Sequence, residues 1–305
     1  MATRVAAIVG PTAAGKSAAA VEVAERLGAE IVSIDSMQVY RGMDVGTDKA
    51  TLESRARVVH HLLDVRPSSH ELTVAEFQSL ARAAVADIAE RGRLPLLVGG
   101  SGLYFRAVVD ELRFPPRSPD VRTKLEAEAA VSGPQALYER LVRLDPVAAA
   151  RIAPRNVRRI VRALEVIELT DQPFSDNDLW GRFESIYDLR AAGITVARDD
   201  LYERIAQRVD RMLAEGLLEE VARLQGPGMS ATARQALGYR QVLEAPEGSS
   251  TEDVRAAMVA ATKRFARRQE SWFRADPRVV WFEAASPRLA DDLAGYLLPS
   301  RRGVA

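Results

Sequence analysis

The fold is decided near the amino terminus by the stretch Val5-Ala6-Ala7-Ile8-Val9-Gly10-Pro11-Thr12-Ala13-Ala14-Gly15-Lys16-Ser17. Its first five residues form a continuous apolar run of strand length, and an Ala-rich amphipathic segment continues from Ser17 to Leu27. The stretch therefore predicts a buried strand, a tight loop and a helix. The loop, Gly10–Ser17, matches the pattern G-x-x-x-x-G-K-[ST] at every fixed position, in the strand-to-helix context that phosphate binding requires.

This loop is predicted to bind a di- or triphosphate. Its glycines let backbone N–H groups wrap a phosphate at the amino terminus of a helix. Lys16 can reach the phosphate oxygens, and the Ser17 hydroxyl can coordinate Mg²⁺. An ordinary glycine-containing turn is the alternative, and the loop does not reveal which phosphate ester it holds. The predicted phosphate-binding residues are Gly10, Pro11, Thr12, Ala13, Ala14, Gly15, Lys16 and Ser17.

The following sequence extends this unit into a larger α/β sheet. Apolar runs follow at 31–34, 58–63 and 94–98, and a helical pattern occupies 74–90. Strands that alternate with helices predict a mostly parallel sheet that is buried on both faces, here as a P-loop NTPase-like α/β core. Functional groups are then expected at the carboxyl ends of the strands.

A helical insertion interrupts this core. Prolines punctuate the chain at 115, 116 and 119, and from 120 to about 170 the periodicity is helical only. We therefore predict an inserted all-helical subdomain at 113–185, between core segments 1–112 and 186–305. Within and beyond its end we expect β-like runs at 184–187, 193–196 and 279–282, and long helices at 199–224 and 251–274.

The composition excludes several classes of protein. The 305 residues are 47% apolar and carry 42 Lys and Arg against 42 Asp and Glu. This balance argues against a domain that is basic overall, but not against local basic faces. The absence of cysteine excludes disulfides, cysteine-ligated zinc, iron–sulfur clusters and a thiol nucleophile. His60, His61 and His70 lack metal-ligand spacing.

Targeting signals are missing from the sequence pattern as well. No window of 18 residues is free of charge, and the amino terminus lacks the shape of a signal peptide. We therefore expect a cytoplasmic, soluble protein that has no membrane partner.

A carboxylate follows the second predicted strand. Asp35 stands where this strand ends, and it could hold Mg²⁺ through water or accept a proton from a substrate. Capping of the following turn is the alternative. The neighbouring polar residues Ser36, Gln38 and Tyr40 favour the first interpretation, because they could read the edge of a planar substrate.

A glycine-rich loop, Gly99-Gly100-Ser101-Gly102-Leu103-Tyr104, follows the strand predicted at 94–98. Its glycines free the backbone to approach a ligand closely. Ser101 could then offer a hydrogen bond to a diphosphate or to an amine. A glycine turn that contacts no ligand is the alternative.

Two helical segments are basic within the neutral chain. Residues 151–165 carry five arginines against one glutamate, and residues 262–278 carry six basic residues against two acidic ones. The second segment interleaves Phe265, Trp272 and Phe273, which suits phosphate contacts beside base stacking. A solvated, salt-bridged face explains either segment alone, but two such segments favour a polyanionic partner.

Three further arginines, Arg204, Arg208 and Arg211, share one face of the helix predicted to begin near residue 199. This face could close over the charge of a diphosphate or pair with nearby acidic residues on the same helix. The spacing does not decide between these two roles.

Together these motifs resemble the tRNA dimethylallyltransferase family, also called tRNA isopentenyltransferases. The resemblance spans nearly the whole chain, and the block at 35–47 is its most specific part. It implies transfer of a dimethylallyl group from dimethylallyl diphosphate, with Mg²⁺, to the exocyclic amine of the tRNA adenosine at position 37. The supporting blocks are 10–17, Asp35-Ser36-Met37-Gln38-Val39-Tyr40-Arg41-Gly42-Met43-Asp44-Val45-Gly46-Thr47, 99–104, 159–165, Gln235-Ala236-Leu237-Gly238-Tyr239-Arg240 and 267–274.

The resemblance also implies roles for single residues. The phosphate loop, with Lys16 and a Mg²⁺ ion on Ser17, would hold the donor diphosphate and stabilise the leaving charge. Asp35 would be the general base. Ser101 stands where the family usually has threonine, and it keeps the hydrogen-bonding hydroxyl. Arg208 is our choice for the arginine that meets the diphosphate, and Arg204 competes with it.

The implied partner is tRNA, and the inserted helical subdomain would clasp its anticodon stem. We expect the protein to bind this substrate as a monomer. The residues expected to contact tRNA are Asp35, Ser36, Met37, Gln38, Ser101, Arg158, Arg159, Ile160, Val161, Arg162, Arg240 and Gln241.

Two other functions compete with this one. The main alternative is a P-loop kinase or nucleotide hydrolase that binds ATP, because it would need the same loop and the same metal. A non-catalytic RNA-binding protein with a vestigial loop is the second, and the intact Lys16, Ser17 and Asp35 argue against it.

Overall fold

The computed structural model describes residues 2–177, 183–226 and 228–298. The chain divides into two compact units: a larger one formed by Met1–Glu111 and Phe183–Ala305, and a smaller one formed by Leu112–Arg182. The predicted insertion, 113–185, differs from the smaller unit by one residue at its start and three at its end. That this unit clasps tRNA stays a prediction.

A parallel sheet forms the centre of the larger unit. Six strands lie in the order β4-β2-β6-β1-β7-β8, every pairing is parallel, and β3 pairs with β5 in a separate small sheet. This arrangement confirms the predicted α/β class. The strands are β1 (Arg4–Val9), β2 (Ala29–Ser33), β3 (Tyr40–Arg41), β4 (His60–His61), β5 (Arg66–Pro67), β6 (Leu94–Gly99), β7 (Asp188–Thr195) and β8 (Val279–Glu283).

Twelve α-helices occupy the described residues, and none of them is both long and apolar enough to cross a membrane. Short 3₁₀ turns add Phe174–Asn177 and Ala233–Gln235. The helices are α1 (Lys16–Leu27), α2 (Leu52–Arg57), α3 (Val74–Glu90), α4 (Gly102–Val109), α5 (Pro119–Leu144), α6 (Pro146–Arg151), α7 (Val157–Thr170), α8 (Arg198–Ala214), α9 (Leu217–Gln225), α10 (Tyr239–Leu243), α11 (Thr251–Arg274) and α12 (Leu289–Leu297).

Strand β1 is flanked by β6 and β7, and its apolar residues are buried on both faces of the sheet. Alternate side chains point to opposite faces. Val5, Ala7 and Val9 therefore pack into one hydrophobic cluster, which includes α3 and α4, and Ala6 and Ile8 pack into another with α1 and α12. Burial on both sides explains why this strand is a continuous apolar run without polar alternation.

The carboxyl ends of three neighbouring strands bring the predicted site loops together. Val9 of β1 pairs with Gly99 of β6, and Ser33 of β2 pairs with Val98 of β6. Because all three strands run in the same direction, the loops that follow them leave the sheet at the same edge. The phosphate loop, Asp35 and Ser101 follow these three strand ends.

The smaller unit is a helical bundle with its own core. Leu125, Leu141 and Ile160 are fully buried in it. Its longest helix, α5, bends at Gly133, which has φ 80° and precedes Pro134. A glycine adopts this left-handed conformation at little cost, and proline can begin the following helical segment.

A buried carboxylate on α7 fixes the segment with which the smaller unit begins. Glu165 accepts hydrogen bonds from the Ser118 backbone N–H at 3.0 Å, from Arg122 at 2.9 Å and from Arg162 at 2.8 Å. Arg162 also donates to the Pro115 and Pro116 carbonyls, at 2.9 and 3.0 Å. Its guanidinium therefore ties the incoming segment to α7.

Several predicted boundaries are wrong, and the backbone explains them. The apolar run 58–63 supplies only the two residues of β4, because Leu62 is left-handed with φ 65° and cannot continue a strand. The helix expected at 199–224 breaks at Gly216, φ 92°, into α8 and α9. The runs at 184–187 and 193–196 are replaced by the single strand β7, and a short helix, α4, follows Ser101 directly.

The larger unit pins the two segments that border the insertion. Asp110 and Ser185 form an antiparallel bridge, and the Ile186 backbone N–H donates to the Val109 carbonyl at 2.9 Å. The buried Asp110 carboxylate also accepts from Arg106 at 2.6 Å. The point at which the chain leaves and re-enters the core is thus fixed by backbone and side-chain bonds.

Candidate functional site

The three strand-end loops enclose a small chamber of about 90 Å³ in the larger unit. Most of its lining residues are polar, and Ile31, Val98 and Phe265 are the larger apolar ones. The residues that line it include Thr12, Lys16, Ser17, Ser33, Asp35, Gln38, Thr47, Asp48, His60, Gly99, Gly100, Arg208, Phe265 and Gln269.

A wider cleft of about 800 Å³ adjoins this chamber. The two spaces share Thr12, Asp35, Thr47, Arg208, Phe265 and Gln269, so a ligand in the chamber is next to a ligand in the cleft. The cleft is rimmed by arginines, which suits a polyanion. Its other lining residues include Ser36, Met37, Ser101, Gln235, Arg240, Gln241, Arg264 and Arg268.

The phosphate loop follows β1 in a conformation that requires glycine at its first position. Gly10 has φ 136°, and a Cβ there would lie 2.7 Å from the Ile194 carbonyl oxygen. Gly15, φ 88°, precedes α1, whose first residues are Lys16 and Ser17. The loop therefore presents its backbone N–H groups at the amino end of a helix, where an anion is stabilised.

Lys16 is held inside the chamber with a strongly perturbed pKa. Its Nζ donates to the Pro11 carbonyl at 2.7 Å. Burial and the neighbouring Arg208 guanidinium lower the pKa of Lys16 from 10.5 to about 7, while Asp35 and Asp48 oppose this shift. Without an anion, the ammonium is thus only partly charged near neutrality, and a bound phosphate would favour its charged form.

Asp35 lies where the chamber opens into the cleft, just beyond β2. Its Oδ1 accepts from the Met37 backbone N–H at 2.9 Å, and its own N–H donates to Ser33 Oγ at 3.3 Å. Within the described part of the chain, no side chain or backbone group donates to its Oδ2. The hydrogen bond to Oδ1 therefore orients the carboxylate, and Oδ2 is left to contact a substrate.

Arg208 and Arg204 lie on the same helix, α8, but line different cavities. Arg208 lines the chamber and the cleft, and its Nη1 lies 3.0 Å from Asp48 Oδ2. Arg211 reaches the other oxygen of Asp48 at 3.4 Å. Arg204 instead lines a groove on the other side of the phosphate loop, next to Gly15. Only Arg208 of these three is placed against the chamber.

The glycine-rich loop after β6 is packed tightly against α11. A Cβ at Gly102 would lie 1.9 Å from the Trp272 indole, and one at Gly100 would lie 2.2 Å from the Gln269 amide. Ser101, between them, is the residue before α4, and its side chain makes no capping hydrogen bond. Ser101 is one of the residues that line the cleft.

Gln269 is a site residue that the sequence reasoning missed. Its Oε1 accepts from the Thr12 backbone N–H at 2.8 Å, and its Nε2 donates to the Gly100 carbonyl at 2.9 Å. The sequence signal was weak, since one buried glutamine beside Arg267 and Arg268 looks like part of a solvated face. The available clue was its place in the 267–274 block, which is one of those that carry the family resemblance.

Glu220 was also missed, and it holds the loop that carries Thr47 and Asp48. Its carboxylate is buried and accepts from the backbone N–H groups of Asp44, Val45 and Gly46 at 2.9, 3.0 and 3.1 Å. The Tyr239 hydroxyl also donates to it, and burial together with this carboxylate raises the pKa of Tyr239.

The residues of the 35–47 block divide between the site and the core. Ser36 and Met37 line the cleft. Gln38 lines the chamber, but its amide accepts from Ser33 Oγ at 2.9 Å and donates to the Thr47 carbonyl at 3.2 Å, so it is engaged internally. The expectation that Tyr40 reads a substrate edge is wrong, because its side chain is fully buried.

Two predicted contact residues of α10 line the cleft. Arg240 is exposed and donates to Glu244 at 2.9 Å. The Gln241 amide accepts from the Gly238 backbone N–H at 2.9 Å. Arg240 is therefore the more accessible of the two for an RNA phosphate.

The predicted contacts on α7 of the smaller unit also divide. Arg158 and Arg159 are exposed. Ile160 and Val161 are buried in the bundle core, so their side chains cannot meet RNA, which corrects the expectation. Arg162 is bound to Glu165 and to two proline carbonyls, so its main role is internal.

The basic segment 262–278 is partly neutralised in the larger unit. Arg278 pairs with Asp110 and Asp276, and Arg274 pairs with Glu270. Arg278 is therefore held by internal ion pairs, whereas the pair of Arg274, whose side chain is 51% exposed, lies at the surface and holds that side chain only weakly.

The aromatic residues of the same segment also differ in role. Phe273 is fully buried, so the expectation that it stacks on a base is wrong. Trp272 packs against Gly102. Phe265 lines both cavities, together with the exposed Arg264 and Arg268 at the cleft.

Fold and site together define a P-loop α/β protein in which a carboxylate, Asp35, lies between the phosphate-loop chamber and an arginine-rimmed cleft. The family model for IPP transferase matches residues 38–276. The chain belongs to this family.

Similar proteins cover almost the whole chain. It is 54% identical over 293 residues to a tRNA dimethylallyltransferase of Streptomyces avermitilis, covering 95% of this chain and 93% of that one. A solved tRNA isopentenylpyrophosphate transferase from Bacillus halodurans is 41% identical with a TM-score of 0.70, covering 96% of each chain. A eukaryotic dimethylallyltransferase described as acting on tRNA has a TM-score of 0.80 at 25% identity, covering 96% of this chain and 77% of that one.

Proposed function

We propose that this chain transfers a dimethylallyl group from dimethylallyl diphosphate to the N6 amine of adenosine 37 in tRNA. The products are N6-dimethylallyladenosine and diphosphate. One observation carries the proposal: the Asp35 carboxylate lines both the phosphate-loop chamber and the basic cleft. This position supports a role for Asp35 as proton acceptor between a diphosphate that would lie in the chamber and an RNA that would lie in the cleft.

The donor diphosphate would occupy the chamber. The allyl C–O bond breaks with its electron pair going to the diphosphate, so negative charge grows on the leaving group. Lys16 and Arg208 line this chamber, and together with the backbone N–H groups of the phosphate loop they would stabilise that charge. The N6–C bond forms on the other side of the allyl carbon, and Asp35 accepts the proton that N6 loses.

Mg²⁺ fits the donor set of this chamber. The described residues contain no cluster of three His, Cys, Asp or Glu side chains, so the protein would supply few ligands. Mg²⁺ commonly binds in this way, through one or two protein oxygens together with substrate phosphates. Ser17 would hold the ion, and when bound it would neutralise charge on the diphosphate.

The adenosine would enter through the cleft. It must leave its stack to reach Asp35, since a base inside a stem-loop cannot present its exocyclic amine to a chamber of this size. Ser36, Met37 and Ser101 line the path, and Arg240 lies at the cleft to meet phosphate. Arg158 and Arg159 of the helical unit would add contacts to the anticodon stem.

The test is to incubate unmodified tRNA with labelled dimethylallyl diphosphate and, separately, with labelled ATP. We expect label in tRNA from the first donor only, with N6-dimethylallyladenosine detected by nucleoside mass spectrometry. Label that enters tRNA only from ATP would overturn the proposal and favour a kinase.

Diphosphate binding is expected to weaken as the pH rises above 7. The Lys16 pKa of about 7 in the free protein means that binding above this pH must take up a proton. Apparent affinity for inorganic diphosphate should therefore fall by up to about tenfold per pH unit between pH 7 and 9, as measured by calorimetry. The Lys16→Arg variant keeps its charge throughout, and a slope equal to that of the wild type would refute the role of Lys16.

Replacing Arg158 and Arg159 together with alanine is expected to weaken tRNA binding and to lower its salt dependence, because contacts with phosphate are lost. Each lost phosphate contact should reduce the slope of log K against log salt by about one unit. The double variant Lys124→Ala, Arg143→Ala removes equal charge from exposed positions on α5 of the same unit, outside the 151–165 segment, and should leave the slope unchanged. An unchanged slope in the Arg158, Arg159 variant would mean that these side chains only face solvent.

A further inference from the structure

Gln269 connects the two loops between which the proposed reaction takes place. The residue lies on α11 and is 7% exposed. One end of its amide accepts from Thr12 of the phosphate loop, and the other donates to Gly100, which precedes Ser101. The Gln269 side chain thus links the phosphate loop, which would hold the donor, to the Ser101 loop, which would meet the acceptor.

The surrounding packing leaves this bridge little freedom. A Cβ at Gly100 would lie 3.0 Å from the Gly10 carbonyl, so the two loops also approach each other directly. One turn along α11, Trp272 packs on Gly102. Helix α11 therefore holds both neighbours of Ser101: Gln269 contacts the preceding residue, and Trp272 contacts the following one.

We propose that Gln269 is a positioning residue that sets the separation of the phosphate loop and the Ser101 loop, and so aligns the donor with the acceptor amine. This inference rests on the proposed function. An amide is required because the position needs one acceptor, for Thr12 N–H, and one donor, for the Gly100 carbonyl. Glutamate could keep the first bond but has no donor for the second.

The mechanism predicts a loss of alignment without a loss of RNA affinity. A displacement of about 1 Å between reacting groups can lower the rate by about 100-fold. Gln269→Met keeps a similar volume and removes both bonds, so both loops lose their link. Gln269→Glu removes only the bond to Gly100 and also places a carboxylate beside the diphosphate site.

The experiment measures kcat, KM for dimethylallyl diphosphate and Kd for tRNA in the wild type, Gln269→Met, Gln269→Glu and Ser271→Ala. Ser271 is exposed on the same helix and serves as the matched control. We expect kcat to fall by about 100-fold in Gln269→Met, with tRNA Kd within twofold of wild type and Ser271→Ala unchanged. If the Met variant does not fold, Gln269→Leu, which also removes both bonds and adds no charge, carries the same comparison.

A double-mutant cycle with Ser101→Ala separates positioning from simple support of the fold. If Gln269 acts through the Ser101 loop, Ser101→Ala should lower kcat less in the Gln269→Met background than in the wild type. Additive losses, or a lower Tm with unchanged kcat well below that Tm, would overturn the inference. A wild-type protein that fails to prenylate tRNA would refute the proposed function instead, so the two failures are distinguishable.

Discussion

Replacement of Asp35 by asparagine is expected to lower the transfer rate by about 10³-fold or more, with tRNA affinity within a few-fold of wild type. Asparagine keeps the shape of the side chain and an oxygen that can accept from the Met37 N–H. It cannot accept the proton that the adenine amine must lose, and general-base assistance contributes about 10² to 10⁴ in rate. Single-turnover prenylation of tRNA, together with filter binding, measures both quantities.

The matched control is Asp48→Asn, which changes another carboxylate of the same chamber. Asp48 pairs with Arg208 and Arg211, so its loss should alter KM for the donor more than it alters the chemical step. Near-normal turnover in Asp35→Asn would place the base elsewhere. A loss in Asp48→Asn as deep as that in Asp35→Asn would show that the chamber needs negative charge rather than one specific base.

Truncation of Glu220 to alanine is expected to destabilise the larger unit by about 3 kcal/mol or more. Three backbone N–H groups and the Tyr239 hydroxyl would lose their common acceptor inside the core. Each unpaired buried donor costs about 1–3 kcal/mol, partly relieved by water that enters the space. Thermal unfolding should show a Tm lower by about 6–12 °C.

Glu219, the preceding residue on α9, is exposed and provides the comparison. Glu219→Ala should leave Tm within about 1 °C of wild type, since an exposed side chain contributes little. Glu220→Gln should lie between the two, because an amide retains one acceptor oxygen. A Tm for Glu220→Ala that equals the Glu219→Ala value would show that the loop at 44–46 is held by other contacts.

Local sequence patterns predicted the parts of the site that are themselves local. The phosphate loop is defined by eight consecutive residues, and Asp35 and Ser101 could be placed because parallel strands end at one edge. Arg208 could not be separated from Arg204 by periodicity, since both share a helix face. Only the packing of α8 places Arg208 at the chamber and Arg204 in a different groove.

The missed residues act across large distances in sequence. Gln269 meets Thr12 across 257 positions, and Glu220 meets Gly46 across 174. Neither carries a spacing signal that could indicate its partner. The predicted RNA contacts of Ile160 and Val161 are wrong for a related reason: their helix is basic on one face, but its apolar face, which includes these two residues, is buried in the bundle.

The bridge between Asp110 and Ser185 makes the helical insertion a closed loop of the core. The free energy needed to close such a loop rises only slowly with its length. Helices can therefore be gained, lost or exchanged there during evolution without a shift in the register of the sheet. The helical unit can diverge in this way while the residues that line the chamber stay in place.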